Sequence, residues 1–215
     1  RRVLFRSQLG LILGDAYIAG SGLEGYVFSE AFELVRCFHE ALSPELCREI
    51  EAMHAYSKSL TVKFDNKVFD SIVSALQKDK RVATPSGWVT PTGGHAMIAE
   101  CILEPNGQAT MRLYNQGAGL HYHNVENSAF RERRGAYIEK RDIPQHLVLT
   151  PAFWMILLGV KCRESASSKE PYGAEDLYSW FIDCIPGTLV DAQKMILPQR
   201  SGSCAFKSIL AYLKG

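Results

Sequence analysis

The chain reads as an α+β protein: a short antiparallel sheet flanked by helices, with a helical part in front of it. Three observations predict this. The first third spaces its apolar residues at helical intervals, two apolar runs joined by Pro-Asn-Gly come next, and the last third returns to helical spacing. Hydrophobic residues make up 47% of the 215 positions and charged ones 22%, enough to build a packed core.

A first helix is expected over 30–40. A second opens with Ser43 as N-cap and Pro44 in the first turn, and sets Leu46, Ile50 and Met53 on one face. A third comes after Asp65-Asn66 and stacks Val68, Phe69, Ile72, Val73 and Leu76. The breaker-rich "TPSGWVTPTGG" (84–94) reads as a linker that ends the helical part. Strands are expected at "HAMIAECIL" (95–103) and "QATMRLYN" (108–115), joined as a hairpin through "EPNG", and a further strand at 135–140. Thr150-Pro151 starts a buried helix reaching to about Arg163, and "AEDLYSWFIDCI" (174–185) reads as another. In the closing helix Phe206, Ile209, Leu210 and Leu213 share one face. The run "RERRGAYIEKR" (131–141) is interrupted by Glu132 and Glu139, and reads as a solvated face rather than an RNA-binding strand.

Three segments are expected. Residues 1–7, "RRVLFRS", carry no helical or strand period that continues into residue 8 and beyond. They look like a translated sequencing adapter, and are set aside from fold reasoning. Residues 8–87 form an N-terminal helical subdomain. Residues 88–215 form the catalytic domain, whose last helix reads as cut short at Lys214-Gly215.

Charge and cysteine usage narrow the function. A net charge of +1 gives no reason to expect a nucleic-acid partner, and the longest apolar run, 152–160, is too short to span a bilayer. Six cysteines without a CxxC pair suit reduced thiols in a cytoplasmic compartment, including a host cytosol reached by a secreted effector.

The question is whether Cys204 is one more core thiol or a nucleophile. In "LPQRSGSCAF" it comes after a Gly-Ser entry and opens a helix, where unpaired N–H groups and the dipole favour a thiolate. A thiolate needs a base. His95 stands directly after Gly93-Gly94 and begins an apolar strand. His39, His54 and His146 have bland surroundings. His121 and His123 alternate and could share a metal, yet no third ligand stands at a recognisable spacing, so neither metal nor cofactor is expected. An orienter for His95 is Asn115, at the end of the next strand, as in Cys-His-Asn sites. Register decides their contact: a five-residue loop 103–107 pairs 95 with 115, whereas a two-residue Asn106-Gly107 turn pairs 95 with 118. The local sequence favours the tight turn. Glu100, the alternative orienter, points to the opposite face of a regular strand. Gln199 offers an amide N–H for a developing oxyanion.

His95, then Asn115, then "LPQRSGSCAF" resembles the ubiquitin-like-protein protease superfamily, which includes deSUMOylases, adenovirus-type endopeptidases and bacterial effector deubiquitinases and acetyltransferases. "GGHAMIAECI" and "MRLYN" fit the same layout, over roughly residues 88–215. The resemblance implies a cysteine-protease-like fold with Cys204 as nucleophile, His95 as base, Asn115 as orienter and Gln199 as oxyanion donor. It also implies a protein substrate, such as ubiquitin or a ubiquitin-like conjugate. The chain departs from the family pattern at Ala96, where an aromatic is usual, at Ser203-Cys204-Ala205, and in its shorter Gln-to-Cys interval. Two other functions compete: acyl transfer by the same site, as in an acetyltransferase, and a non-enzymatic helical interaction module in which the thiol is core.

Overall fold

A computed structural model describes residues 31–32, 43–62, 67–90, 93–127, 131–162, 173–198 and 204–214. The expected helix over 30–40, apart from Ala31 and Phe32, lies outside the described residues, as do the 1–7 tail and Gln199.

The fold is α+β. Helix α1 (Pro44–Val62) starts where Ser43 is expected to cap it, with the Leu46 N–H donating to Ser43 Oγ at 3.2 Å. Helix α2 (Lys67–Asp79) buries Val68, Phe69, Ile72 and Leu76. Strands β1 (Arg81–Thr90), β2 (Gly93–Leu103) and β3 (Gln108–Tyr114) form an antiparallel meander. β4 (Val125–Asn127) and β5 (Glu132–Gly135) lead into β6 (Tyr137–Pro144). After a single helical turn, α3 (Gln145–Val148), come α4 (Pro151–Cys162) and α5 (Ala174–Ser179). Short strands β7 (Thr188–Val190) and β8 (Met195–Ile196) precede α6 (Cys204–Lys214). One sheet has the order β1-β2-β3-β6-β7, and a smaller one the order β4-β5-β8.

Within the supposed linker at 84–94, residues 84–90 and 93–94 are strand. Pro85 lies in β1, an edge strand, where a missing N–H breaks no ladder on the open side. Gly87 adopts φ +128°, and a Cβ there would sit 1.9 Å from the His95 carbonyl oxygen, so this glycine admits the close approach of β2. β1 also spans the expected segment boundary at 87/88.

β2 is apolar apart from His95 and Glu100 because both its faces are covered. Met97, Ala99 and Cys101 join a core with Phe69 and Ile72 of α2, Trp154 and Leu157 of α4, and Tyr178 of α5. Ala96 and Ile98 belong to a second core with Ile50 and Met53 of α1 and Cys204, Ala205 and Ile209 of α6. Ile209 is buried in the closing helix, with Leu210 and Leu213 packed against that core, as its spacing predicts; the Phe206 side chain lies outside the described residues.

Polar groups lock the second layer. Glu100, fully buried on β2, accepts from Arg81 Nε at 2.6 Å, Arg112 Nη1 at 3.2 Å and Tyr114 Oη at 2.8 Å. Arg81 also donates to Tyr212 Oη, which itself donates to Glu49, and so ties the far end of α6 to α1 and β1. The 131–141 run is not one solvated face: Glu139 and Lys140 are buried. Glu139 accepts from Arg112 and Arg141, and Lys140 Nζ donates to the carbonyls of Phe181 and Ile182. Those carbonyls belong to a π turn, Trp180–Cys184, that continues α5 where a plain helix is expected. The buried ammonium rewards carbonyls that turn away from the helix ladder.

Candidate active site

The hairpin closes on neither of the two expected registers. Leu103 pairs with Ala109, Glu104 and Gly107 close a turn, and Gly107 adopts φ +81°. That is a three-residue loop with a left-handed residue, between the tight turn and the longer loop. The register therefore sets 95 opposite neither 115 nor 118.

The strands instead part company. The last β2–β3 pair is Ile98 with Tyr114. Beyond it β3 stays with β6, and the Asn115 N–H donates to the Ala136 carbonyl. The chain then folds back, with Asn115 Oδ1 accepting the Gly117 N–H at 2.8 Å, an Asx turn. This turn, rather than ladder pairing, brings the Asn115 amide to His95. His95 Nε2 meets Asn115 Oδ1 at 2.7 Å.

The amide's orientation is fixed by its surroundings. Asn115 Nδ2 donates to the Ala118 carbonyl at 2.6 Å and to Tyr178 Oη at 3.0 Å. Carbonyls only accept, so the nitrogen must face Ala118 and the oxygen must face His95. Asn115 thereby uses both donors and both acceptor positions while fully buried. The consequence for His95 is chemical: Nε2 carries the hydrogen, and in the neutral ring Nδ1 keeps the basic lone pair.

Burial, the larger influence, lowers the His95 pKa to about 4, with the Asn115 hydrogen bond opposing it in part. Trp88, its cross-strand partner on β1, lies over the ring at 4.8 Å between centroids. His95 is thus held neutral, in one tautomer, against an aromatic wall.

Cys204 comes from the other layer. It is the first residue of α6 and reaches the gap between β2 and β3, where the Ala96 N–H donates to its Sγ at 3.3 Å. One turn later, Ser208 Oγ donates to the Ala96 carbonyl at 2.7 Å. The two residues lie on one helix face and grip both polar groups of the residue directly after His95. Cys204 is only 2% exposed. Cys101 is equally buried, but burial and the neighbouring Glu100 push its thiol far up, and it sits in the apolar core.

The structure therefore joins His95 to Asn115 directly and sets the Cys204 sulfur on the adjoining backbone. Gln199 lies outside the described residues; Gln116 Nε2 donates to the Leu197 carbonyl at 2.7 Å and fixes the chain leading toward it. Sequence reasoning missed Tyr178, which is fully buried and bonded to Asn115. It also missed what His123 does: Nδ1 meets the Gly135 carbonyl at 2.9 Å and Nε2 meets Tyr178 Oη at 2.8 Å, so both ring nitrogens have protein partners. Among the described residues, no cluster of three metal-ligating side chains is present, and no helix is long and apolar enough to cross a membrane. No family model, curated protein or solved structure matches the chain.

Proposed function

We propose that this chain is a cysteine peptidase or isopeptidase acting on a protein substrate, a divergent relative of the ubiquitin-like-protein proteases. One observation carries the reading: the 2.7 Å contact of His95 Nε2 with Asn115 Oδ1, beside a helix-opening thiol 3.3 Å from the next amide. His95 Nδ1 takes the Cys204 proton, and the thiolate attacks the scissile carbonyl carbon. The resulting oxyanion is met by N–H groups at the α6 N-terminus and by the Gln199 amide. Collapse breaks the C–N bond, and the imidazolium returns its proton to the leaving amine. Water, losing a proton to Nδ1, then hydrolyses the thioester and frees Cys204. Transfer to a hydroxyl or amine in place of water would make the same site an acyltransferase.

A second reading is favoured by the 2% exposure of Cys204, which suits a core thiol in an interaction module. Iodoacetamide labelling at pH 6, mapped by mass spectrometry, separates the two. Cys184 is exposed and serves as the internal reference for an ordinary thiol. The peptidase reading expects Cys204 to be alkylated ahead of Cys184, and His95→Ala to erase that preference. Labelling of Cys204 no faster than that of buried Cys101 refutes it and leaves the interaction module.

A further inference from the structure

We infer that Tyr178 and His123 are positioning residues that set the tautomer of His95 through Asn115. The three contacts beyond His95 run through buried groups: Asn115 Nδ2 to Tyr178 Oη at 3.0 Å, Tyr178 Oη to His123 Nε2 at 2.8 Å, and His123 Nδ1 to the Gly135 carbonyl at 2.9 Å. Their direction is dictated from the far end. A backbone carbonyl cannot donate, so His123 carries its hydrogen on Nδ1 and presents a lone pair at Nε2. The Tyr178 hydroxyl therefore donates to His123, and its oxygen is left to accept from Asn115. The amide, with nitrogen turned to Tyr178 and Ala118, turns its oxygen to His95. Each group donates to the next, from His95 to the Gly135 carbonyl, and the two histidines hold opposite tautomers.

The surroundings suit a fixed relay. Tyr122 stacks on the Tyr178 ring at 4.5 Å and 12°. Gly119 adopts φ +84°, and a Cβ there would lie 2.6 Å from Tyr178 Cε2, so the ring occupies space that only glycine leaves open. At Gly135 an added Cβ would lie 2.2 Å from Asn124 Oδ1, which holds the accepting carbonyl's own residue against its neighbour. Without His123 the Tyr178 hydroxyl has no acceptor in this line. It would then compete for Asn115 Oδ1 and oppose the backbone contacts that keep this oxygen on His95.

The role in catalysis rests on the peptidase reading; the tautomer pattern does not, and the experiment keeps them apart. Two-dimensional ¹⁵N NMR of the full chain with labelled histidine reads each ring directly at pH 7. The expected result is His95 as Nε2–H and His123 as Nδ1–H. His123 found as Nε2–H overturns the inference with no variant needed. In His123→Leu, where the Tyr178 hydroxyl loses its acceptor, His95 is expected to shift toward a tautomer mixture, with Cys204 alkylation slowed roughly tenfold, the scale of one lost hydrogen bond. His123→Gln, whose amide can accept from Tyr178 and donate to Gly135, is expected to restore both. His95 remaining wholly Nε2–H in His123→Leu overturns the positioning role. An altered tautomer with a Cys204 that is unreactive even in the parent chain supports the inference and counts against the peptidase.

Discussion

Acid should unfold this protein through His95 and His123, and the size of the effect can be worked from their surroundings. Both rings are buried and neutral, with pKa values lowered from 6.5 to about 4. For His123 burial dominates, the Gly135 hydrogen bond opposes it, and Arg134 and His121 add to it. Between these pH limits the unfolded chain binds protons that the folded chain refuses, so stability falls as pH falls. The contribution is fully present above pH 6.5 and is lost on the way down to about pH 4. At about 1.4 kcal/mol per pH unit the difference amounts to roughly 3 kcal/mol for each histidine. Near pH 5 the two together should give a slope of about 2.7 kcal/mol per pH unit. That is a large share of the roughly 5–15 kcal/mol that holds a typical domain folded. Protonating His123 also removes the acceptor that the Tyr178 hydroxyl uses, so the relay must break before the ring can charge. The assay is urea unfolding at pH 4.5–6.5, monitored by fluorescence of Trp88, Trp154 and Trp180. The decisive quantity is the difference in slope between the parent chain and each variant. His95→Gln and His123→Gln should each reduce the slope by about 1.4 kcal/mol per pH unit. A slope unchanged by both substitutions would mean that these rings titrate as they do in the unfolded chain, and the reasoning fails.

The same geometry gives two further outcomes. Gly119→Ala should destabilise the fold by about 2–3 kcal/mol in chemical denaturation, from the left-handed backbone and from a collision with the fully buried Tyr178 ring; a loss under about 0.5 kcal/mol would show that the ring can move aside. Asn115→Asp should raise the His95 pKa, read by NMR titration, by placing a carboxylate on Nε2. It should also cost about 1–3 kcal/mol, because the second carboxylate oxygen would face the Ala118 carbonyl; an unchanged pKa would refute the contact.

What the sequence discloses and what it hides divide along the distinction between local and distant causes. Ser43 beside the first turn of α1 and the buried face of α2 are local, and both are read correctly from residue types. The His95–Asn115 contact is anticipated from the outer ends of two apolar runs, but for an incomplete reason. Neither expected register holds, and an Asx turn closed by the Gly117 N–H supplies the approach instead. β1 is hidden because Pro85 and Gly87 look like breakers, and only an edge position with a close β2 neighbour makes them strand residues. Tyr178 is hidden for another reason. It stands 63 residues from Asn115 and 55 from His123, in an apolar helical stretch where a tyrosine looks like plain packing. A usable signal does exist: a tyrosine destined for a core must find a partner for its hydroxyl, and His123 comes after a glycine-rich turn that brings it inward.

The site lies where it does because the sheet opens at one end. Had β2 and β3 remained paired as far as His95, the Ala96 N–H would have had a strand partner or faced solvent, with no room for α6 between the strands. Because β3 leaves with β6 after Tyr114, the amide is released at the point where the first residue of α6 arrives. The helix is fixed at both ends, by Ser208 on the Ala96 carbonyl and by Tyr212 on Arg81 and Glu49. Trp88, stacked on His95, belongs to one core and Cys204 to the other, and the open end of the sheet is where the two adjoin. Two separately packed layers therefore meet at one backbone residue, Ala96, whose methyl group is small enough to let α6 lie directly against β2. An aromatic at this position would have to occupy the space that Cys204 and Ala205 now fill. The alanine is thus a condition of this helix placement, and a Trp or Phe substitution would push the thiol away from the Ala96 N–H that it now meets at 3.3 Å.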